Sequence, residues 1–357
     1  MIPYSTQLIE QDDIDAVVEV LKSPFLTQGA KVEEFEKALC GYTGSKHAVV
    51  FNSATSALLG AYSVCEIKKD DEIITTPISF VATSNMFVSL GAKPIWCDVK
   101  LDGNMDERLL EKRITPRTKA IVGVDFAGKP LEFSKIREIA NRHNLLFIDD
   151  ASHALGSSVE GEKVGSLCDM TILSFHAIKP ITTGEGGAVL TDSDEWATKL
   201  RLFRSHGIVK KELWNSDMVS LGHNFRLTEI AAALGSSQLK KLDSFIKRRN
   251  EVAAYYDERF KDEKLFITQK IPLNMISSRH LYLIILNPEL QCAKEDIFKE
   301  LQARGIGVQV HYKPIYQNSF YKEQFDDISL QVADDFYKSE ISIPCHQKMT
   351  QEDAAFV

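Results

Sequence analysis

The chain has 357 residues, of which 44% are hydrophobic and 26% are charged, the balance of an ordinary globular protein with enough length for a large core. Its formal net charge is −8, and no basic stretch interleaved with aromatic residues occurs along it. This composition predicts one large domain plus one smaller one, and it argues against nucleic acid as a partner.

The N-terminal residues and the apolar runs give no targeting or membrane signal. Acidic residues follow Met1–Tyr4, where a signal peptide would have a basic start and an apolar centre. The longest apolar runs, such as Leu281–Leu286, are far too short to span a bilayer. We therefore expect a cytoplasmic protein that has no membrane partner.

The cysteines are scattered, without a CxxC pair and without the Cys/His spacing of a zinc site. This pattern predicts reduced thiols in the core and no metal. The six residues are Cys40, Cys65, Cys97, Cys168, Cys292 and Cys345.

Strand and helix patterns alternate through the first two-thirds of the chain, which predicts an α/β fold with a mostly parallel sheet covered on both faces. Gly186–Leu190 follows the preceding strand too soon for a crossover helix, so we expect it to pair antiparallel. The other predicted strands are His47–Phe51, Glu72–Thr76, Lys93–Val99, Lys119–Val124, Leu145–Ile148 and Met170–Phe175, and the helices are Thr55–Val64, Ser79–Leu90 and Phe133–Arg142.

The last third of the chain predicts a second unit. Residues 226 to 261 have one long helical pattern that becomes more charged and leaves the large domain. Strand His280–Leu286, helix Lys294–Arg304 and strand Gly307–Tyr312 then predict a small α+β unit.

We accordingly place a large domain at residues 1–240 and a small C-terminal domain at residues 241–357. Thr350 is a suitable N-cap for a helix that would begin just before the last residue, Val357. We expect the small domain to lack its last C-terminal helix.

Asn52–Ala57 follows an apolar strand, opens a helix, and consists of small and hydroxyl-bearing residues. The N-terminus of a helix offers unpaired N–H groups and a positive dipole, and small residues let a phosphate approach them. Ordinary capping by Ser and Thr explains the same residues. The segment alone leaves both interpretations open.

Asp149–Ala154 begins with two carboxylates at the end of a very apolar strand. Ligands bind at the carboxyl ends of strands in an open α/β sheet, so Asp150 is a candidate site residue. A solvated strand end or a helix cap would account for the same acids.

Ser174–Gly187 contains one lysine, Lys179, in a run with few other charges. Such a lysine either extends from an apolar surface towards water or is an amine of lowered pKa that forms a Schiff base. The glycines do not form GxGxxG, which disfavours a dinucleotide-binding loop.

These three segments, in this order, resemble the DegT family of sugar aminotransferases, which are fold-type I pyridoxal-phosphate enzymes. The resemblance covers nearly the whole chain and extends to Leu26–Gly29, Pro77–Thr83, Gly222–Arg226 and Val310–Pro314. It implies an aspartate-aminotransferase-like fold, with a large, mostly parallel sheet domain and a small C-terminal α+β domain. It also implies pyridoxal 5′-phosphate as the cofactor.

The resemblance is most specific in Ser174–Gly187 and in the tail Glu340–His346. These stretches are similar to family members that aminate a UDP-linked 4-keto sugar. The implied partners are such a sugar and L-glutamate, the amino donor.

The resemblance also assigns roles to individual residues. Lys179 would hold the cofactor as a Schiff base and then move the proton, Asp150 would keep the pyridine nitrogen protonated, and His153 would hydrogen-bond the ring's phenolic oxygen. Phe80 would stack on the ring. The residues implied for the phosphate are Ser53, Ala54, Thr55 and Ser174.

Asn224 would reach the phosphate from a second subunit, so the resemblance implies a homodimer with shared sites. It also makes His311 or Tyr312 a candidate substrate contact in the small domain. His176 and His223 lie inside the motifs, where structural roles are the simpler interpretation.

One alternative function stays open, and two others are disfavoured. A relative acting on another nucleotide-linked keto sugar fits the same motifs, because they restrict the cofactor chemistry more tightly than the substrate. A dehydratase of the same fold is disfavoured, because those relatives replace the lysine with histidine and Lys179 is present. A non-catalytic scaffold is disfavoured because Lys179, Asp150 and His153 are all intact.

Overall fold

The structure is a computed structural model that describes residues 1–325 and 328–357. Its helices are α1 (Gln11–Leu21), α2 (Ala30–Thr43), α3 (Ala54–Val64), α4 (Ala82–Ser89), α5 (Phe133–Arg142), α6 (Asp194–Arg204), α7 (Glu229–Leu239), α8 (Leu242–Arg259), α9 (Lys294–Ala303), α10 (Ser319–Gln324), α11 (Gln331–Ser339) and α12 (Gln351–Phe356).

The strands follow the same chain order. They are β1 (His47–Phe51), β2 (Glu72–Thr75), β3 (Lys93–Trp96), β4 (Thr118–Val124), β5 (Leu146–Asp150), β6 (Ser158–Val159), β7 (Glu162–Lys163), β8 (Met170–Ser174), β9 (Gly187–Thr191), β10 (Ile208–Glu212), β11 (Asn215–Met218), β12 (Phe266–Thr268), β13 (Met275–Ile276), β14 (Tyr282–Leu286) and β15 (Glu340–Ile343).

Seven strands form the central sheet in the order β1-β9-β8-β5-β4-β2-β3. The pairs β2–β3, β2–β4, β4–β5 and β5–β8 are parallel, whereas β9 is antiparallel to both β8 and β1. The mostly parallel sheet and its antiparallel strand are thus confirmed. The segment between β8 and β9 contains no helix to carry the chain back across the sheet, so β9 returns alongside β8.

Apolar cores cover both faces of this sheet. On one face, Phe35 of α2, Ile136 of α5 and Ala232 of α7 belong to one buried cluster. On the other face, Tyr62 of α3 and Phe87 of α4 belong to a second. Strands buried on both faces must be apolar throughout, which is why the apolar runs of the sequence located them correctly.

The C-terminal part contains a separate antiparallel sheet in the order β12-β14-β15. Its core includes Val252 and Tyr256 of α8 together with Tyr282 of β14. The opposite end of α8 contributes Leu242 and Phe245 to the core of the central sheet. Because α8 belongs to both cores, the domain boundary at residue 240 stays a prediction.

The single helix predicted for residues 226 to 261 is wrong, because two helices, α7 and α8, occupy this stretch. The chain turns between them at Lys240 and Lys241. The ammonium of Lys241 donates to Asp12 (2.8 Å) and to Asp13 (2.7 Å) of α1. No Gly or Pro stands at the break, so the local sequence does not indicate it. The contacts of Lys241 are with a distant part of the chain.

The strand predicted at Gly307–Tyr312 is also wrong. Gln309 exchanges backbone hydrogen bonds with Ser342 of β15 (3.1 and 2.8 Å), but no continuous ladder forms around it. The His311 N–H donates to the Glu340 side chain (2.7 Å), which diverts the backbone from strand pairing. The predicted helix Ser79–Leu90 begins later, at Ala82 in α4.

The last helix has the N-cap that the sequence predicts. Thr350 caps α12, since its side chain accepts from the Asp353 N–H (3.1 Å).

All six cysteines are free thiols, but Cys292 is exposed, so the prediction of a core position is wrong for it. Among the described residues, no helix combines the length and apolarity needed to cross a membrane.

Candidate active site

A cavity of about 630 Å³ opens where β4, β5 and β8 end, beside the N-terminus of α3. Segments from the C-terminal part of the chain close its other side. The predicted site residues that line it are Ser53, Ala54, Thr55, Phe80, Asp150, His153, Ser174, Lys179, His311 and Tyr312. The structure therefore brings these residues together, while the role of each stays a prediction.

Lys179 lies in the loop between β8 and β9, partly buried, with its Nζ 3.5 Å from Nε2 of His280. Burial lowers the pKa of this amine to about 8, against the opposing charge of Asp150. The positive charge of Arg249 is a smaller contribution to this lowering. Compared with an ordinary lysine, a much larger fraction of such an amine is neutral near pH 7 to 8, where it can act as a nucleophile and as a proton carrier.

Arg249 is fully buried on α8 and has no carboxylate partner among the described residues. Its Nη1 donates to the backbone carbonyl oxygens of Cys345 (2.7 Å), Arg279 (3.2 Å) and His280 (3.3 Å). One side chain thus connects α8 to two segments near the cavity and places a positive charge behind Lys179.

Asp150 ends β5 and is 4% exposed. Its Oδ2 accepts a hydrogen bond from Oγ1 of Thr83 (2.6 Å), and its Oδ1 accepts one from the Ser152 N–H (3.2 Å). Ser79 contacts the same threonine hydroxyl at 2.7 Å. Two donors therefore hold the carboxylate in place at the cavity wall.

The first turn of α3 presents unpaired N–H groups to the cavity. Ser53 caps the helix, since its Oγ accepts from the Ser56 N–H (3.1 Å) and its carbonyl accepts from the Ala57 N–H (3.1 Å). The N–H groups of Ala54 and Thr55 come before these bonds in the helix and face the cavity side. This arrangement suits an anionic group with several oxygen atoms.

Gly187 allows β9 to pack closely against the first turn of α3. A Cβ atom at this position would lie 2.5 Å from the backbone nitrogen of Ala54, a distance that no side chain tolerates. The close approach of strand to helix explains why glycine stands here. It fixes the position of the α3 N-terminus relative to Ser174 at the neighbouring end of β8.

His153 is buried, and its pKa lies well below the ordinary value because burial disfavours the charged ring, with Lys179 and His311 adding to the effect. Its Nδ1 accepts from the Ala127 N–H (3.3 Å), so the proton of the neutral ring is on Nε2. Nε2 lies 3.3 Å from the hydroxyl of Tyr312. His153 is thus oriented as a hydrogen-bond donor at the cavity.

The ring of Phe80 is 59% exposed and lies 6.3 Å from the ring of Tyr312. His311 is 4% exposed and packs against Tyr4, with ring centres 5.4 Å apart. Its Nδ1 is 2.8 Å from Oγ of Ser342. Both predicted substrate contacts therefore reach the cavity from the C-terminal part of the chain.

Asn224 does not line the cavity of its own chain. It is exposed, beside Ser205, after the hairpin of β10 and β11. Of the two motif histidines, His176 lines the cavity, whereas His223 stacks on Phe225 with ring centres 4.7 Å apart. The structure therefore favours a packing role for His223.

Sequence reasoning missed several polar groups at this site. Thr83 belongs to a segment that was noted, but only the fold shows that its hydroxyl reaches Asp150. His280 received no functional interpretation, and it lies against Lys179. Glu185 and Gln309 also line the cavity. Thr83 and Glu185 lie in segments that the resemblance covers, whereas His280 and Gln309 have no distinctive motif and reach the site through tertiary contacts.

Two further carboxyl groups lie behind Asp150. Asp149 is completely buried, and neither of its oxygen atoms accepts from an N–H or a hydroxyl among the described residues; the side chain that it contacts is the carboxyl of Asp125. Asp125 follows β4, and one of its oxygens accepts from the Leu131 N–H (2.7 Å). Burial raises the pKa of both, that of Asp125 to about 8. In the described part of the chain, no group of three or more ligand side chains could hold a metal ion.

Residues 7–357 match the model of the DegT/DnrJ/EryC1/StrS aminotransferase family. The chain belongs to this family. The fold class, the family and the aminotransferase class predicted from the sequence are confirmed.

Several relatives of this aminotransferase have names. This chain is 53% identical to a UDP-4-amino-4,6-dideoxy-N-acetyl-beta-L-altrosamine transaminase of Campylobacter jejuni, over 100% of this chain and 96% of that protein. Its structure is similar to Helicobacter pylori PseC, an aminotransferase of pseudaminic acid biosynthesis, with a TM-score of 0.98, 49% identity, and coverage of 99% and 96% of the two chains.

A sugar aminotransferase of Streptococcus pneumoniae, Spr1654, matches with a TM-score of 0.95 and 31% identity, over 99% of this chain and 96% of that one. That structure is a PLP-form, and a PMP-form is similar to the same degree. The pyridoxal-phosphate dependence predicted for this aminotransferase is confirmed as a property of its family.

The residues of this aminotransferase fit that cofactor. The glycine-bordered turn of α3 and the hydroxyls of Ser53 and Thr55 would hold a phosphate. The fixed carboxylate of Asp150 suits a protonated ring nitrogen, and the amine of Lys179 suits an aldehyde.

Proposed function

We propose that this aminotransferase moves the amino group of L-glutamate to C4 of UDP-2-acetamido-2,6-dideoxy-β-L-arabino-hex-4-ulose. The products are UDP-4-amino-4,6-dideoxy-N-acetyl-β-L-altrosamine and 2-oxoglutarate, and the reaction belongs to pseudaminic acid biosynthesis. The observation that carries this proposal is the 53% identity, across the whole chain, to a transaminase named for that product.

The cavity supports the reaction class. Bound pyridoxal phosphate supplies a carbon that accepts the amino group and a ring that withdraws electrons from the reacting carbon. Ser53, Ala54, Thr55 and Ser174 would bind the phosphate, and Phe80 would cover one face of the ring.

Asp150 keeps a carboxylate in a fixed position with the help of Thr83 and Ser152. A carboxylate there would keep the ring nitrogen protonated, which an amide could not do. His153 presents its Nε2–H to the cavity and would donate to the phenolic oxygen of the ring.

Nζ of Lys179 would carry the proton transfers, first from the α-carbon of L-glutamate and later to C4 of the sugar. Its pKa of about 8 means that the amine can both give up and accept a proton near neutral pH. The neutral rings of His280 and His153 add no competing positive charge beside it.

The proposal includes a homodimer with shared sites. Asn224 would contact the phosphate of the partner, which agrees with its exposed position outside its own cavity. The tip of the hairpin of β10 and β11 supports an association surface, because Leu213 and Trp214 are 86% and 85% exposed.

The test is product analysis with purified enzyme, L-glutamate and a panel of UDP-linked and dTDP-linked keto sugars. We expect amination at C4 of the UDP-linked sugar with L-configured C5, identified by NMR of the product. Amination of only the D-configured epimer, reaction at C3, or preference for a dTDP-linked sugar would refute the substrate and favour another member of the family.

A further inference from the structure

His311 is the cavity residue with the most extensive hydrogen bonding behind it. Its backbone N–H donates to Oε2 of Glu340 (2.7 Å), and its Nδ1 lies 2.8 Å from Oγ of Ser342. The hydroxyl of Ser342 in turn donates to Oε1 of Glu340 (2.5 Å). Glu340 and Ser342 are both 0% exposed, so bulk solvent does not reach these two side chains.

The hydrogen bonds from His311 through Ser342 to Glu340 determine which ring nitrogen of His311 carries the hydrogen. An ionised carboxylate only accepts, so both oxygens of Glu340 are occupied by donors, one of them the Ser342 hydroxyl. A serine hydroxyl has one hydrogen, and here it points to Glu340. Its oxygen must therefore accept from His311, which places the ring hydrogen on Nδ1.

The second ring nitrogen then has a free lone pair. Burial, with a smaller contribution from the positive charge of Lys179, lowers the pKa of His311 to about 3, so the ring is neutral. Burial raises the pKa of Glu340 to about 7, against the hydrogen bonds from Ser342 and His311 and the charge of Lys294. At pH 8, above this pKa, most of the Glu340 carboxylate is ionised and can only accept hydrogen bonds.

We propose that Glu340 and Ser342 are positioning residues that fix His311 as the Nδ1–H tautomer. Nε2 of His311 then offers an acceptor to the cavity and selects substrates that place an O–H or N–H donor against it. The recognition part rests on the proposed function, in which the sugar offers its C3 hydroxyl and its acetamido N–H as donors. The tautomer part does not depend on the substrate.

The tautomer is tested on the holoenzyme at pH 8, with histidine labelled by ¹⁵N in both ring nitrogens. The chain has 9 histidines, and the signals that His311→Gln removes identify those of His311. We expect shifts of a protonated Nδ1 and an unprotonated Nε2. Ser342→Ala should move this pair towards the Nε2–H form. A wild-type ring protonated on Nε2, or a ring pair unchanged in Ser342→Ala, would overturn the proposal.

Ser339→Ala is the matched control. Ser339 is also buried, three residues before Ser342, and it donates to the Asp335 carbonyl oxygen (2.8 Å) instead of towards His311. This variant should leave the His311 signals unchanged. If Ser342→Ala does not fold, Glu340→Gln serves in its place, because an amide must present a donor where the carboxylate presented only acceptors.

Recognition is tested by steady-state kinetics of the same variants. Loss of one oriented hydrogen bond should raise KM for the sugar about three- to tenfold in Ser342→Ala, with kcat within about threefold of wild type. His311→Leu should no longer discriminate against the analogue that lacks the responsible donor. The 3-deoxy sugar and the sugar without the acetamido N–H distinguish the two donors.

The two parts of the proposal fail separately from the proposed function. An unchanged KM with a shifted tautomer would overturn the recognition role of His311. A wild-type enzyme inactive on the UDP-linked sugar would overturn the proposed function, and the NMR result would still decide the tautomer.

Discussion

Lys179 is the single residue on which we expect turnover to depend most directly. Lys179→Ala should abolish transamination and the visible absorption band of lysine-bound cofactor, because the variant has no amine to bind the cofactor or carry the proton. Circular dichroism should show an unchanged fold, since among the described residues the side chain makes one hydrogen bond, a long one of 3.5 Å to His280. A folded variant that keeps the absorption band would contradict the role of Lys179.

Asp150→Asn changes one charge and little else at the cavity wall. We expect kcat to fall by about two orders of magnitude or more with little loss of bound cofactor, because an amide does not keep the ring nitrogen protonated. Thr83→Val is the comparison, since it removes one hydrogen bond to the same carboxylate and should cost only about three- to tenfold. Single-turnover rates and cofactor content measure both, and near wild-type turnover in Asp150→Asn would refute the assignment.

Residues with an unusual chemical setting could be predicted from the sequence, and residues defined by tertiary contacts could not. Lys179 and Asp150 were found because each stands out next to an apolar strand and belongs to a recognisable motif. Thr83 and His280 reach the site only after the chain has folded, since the Asp150 and Lys179 they contact are 67 and 101 residues away. The roles of all of them await mutation.

At the level of elements, β5 places two adjacent carboxyl groups in opposite environments. Side chains alternate along a strand, so Asp149 points away from the face that carries Asp150. Thr83 and Ser152 donate hydrogen bonds to Asp150, whereas Asp149 receives none from an N–H or a hydroxyl among the described residues and lies against the carboxyl of Asp125. Burial and the neighbouring carboxyl groups therefore raise the pKa of Asp149 well above its ordinary value.

This division predicts how stability depends on pH. Asp149 and Asp125 have raised pKa values in the folded state, so they keep protons that the unfolded chain releases above its ordinary aspartate pKa. Unfolding then releases protons, and stability falls as pH rises from about 4 through about 8. Asp149→Asn should remove about one proton from this linkage, a change in slope of about 1.4 kcal/mol per pH unit.

Urea unfolding of the holoenzyme between pH 6 and 8.5 measures that slope. Asp169→Asn, just before β8, is the control, because Asp169 is ion-paired with Arg137 at 2.9 Å. The control should lose stability without flattening the pH dependence. If Asp149→Asn has the same slope as wild type, Asp149 does not hold the proton.

Element types were easier to predict than their limits. The central strands are buried on both faces, so their apolar runs identify them without further context. At the break between α7 and α8, Lys241 is ion-paired with α1, and beside the irregular path around Gln309 the backbone of His311 donates to Glu340. Contacts between distant segments decided both, and no local sequence signal reports them.

For the whole molecule, the proposed homodimer predicts that two inactive variants can restore activity when they form one dimer. Asn224→Asp should weaken cofactor binding, because it replaces a donor to a phosphate by a repelling carboxylate. A Lys179→Ala chain carries an intact Asn224, and an Asn224→Asp chain carries an intact Lys179. Their heterodimer should hold one site with both lesions and one site with none.

Refolding an equal mixture of the two inactive variants should give about half heterodimers by random pairing. The expected activity is roughly a quarter of that of wild-type chains refolded in parallel, measured per chain. Recovery no greater than the sum of the separate variants, with normal recovery of wild type, would show that Asn224 does not act across the interface.

The position of α8 in two cores has a consequence for motion. Leu242 and Phe245 are packed on the central sheet while Val252 and Tyr256 are packed on the C-terminal sheet, so tilting one sheet against the other would break close packing at one end of the helix. We therefore expect α8 to restrict movement of the two sheets relative to each other. Substrate would then enter the cavity through local movement of exposed groups such as Phe80. Hydrogen exchange should accordingly be as slow along the middle of α8 as in β5, with the turn around Phe80 exchanging orders of magnitude faster. Fast exchange throughout α8 would mean that the two sheets move as separate bodies.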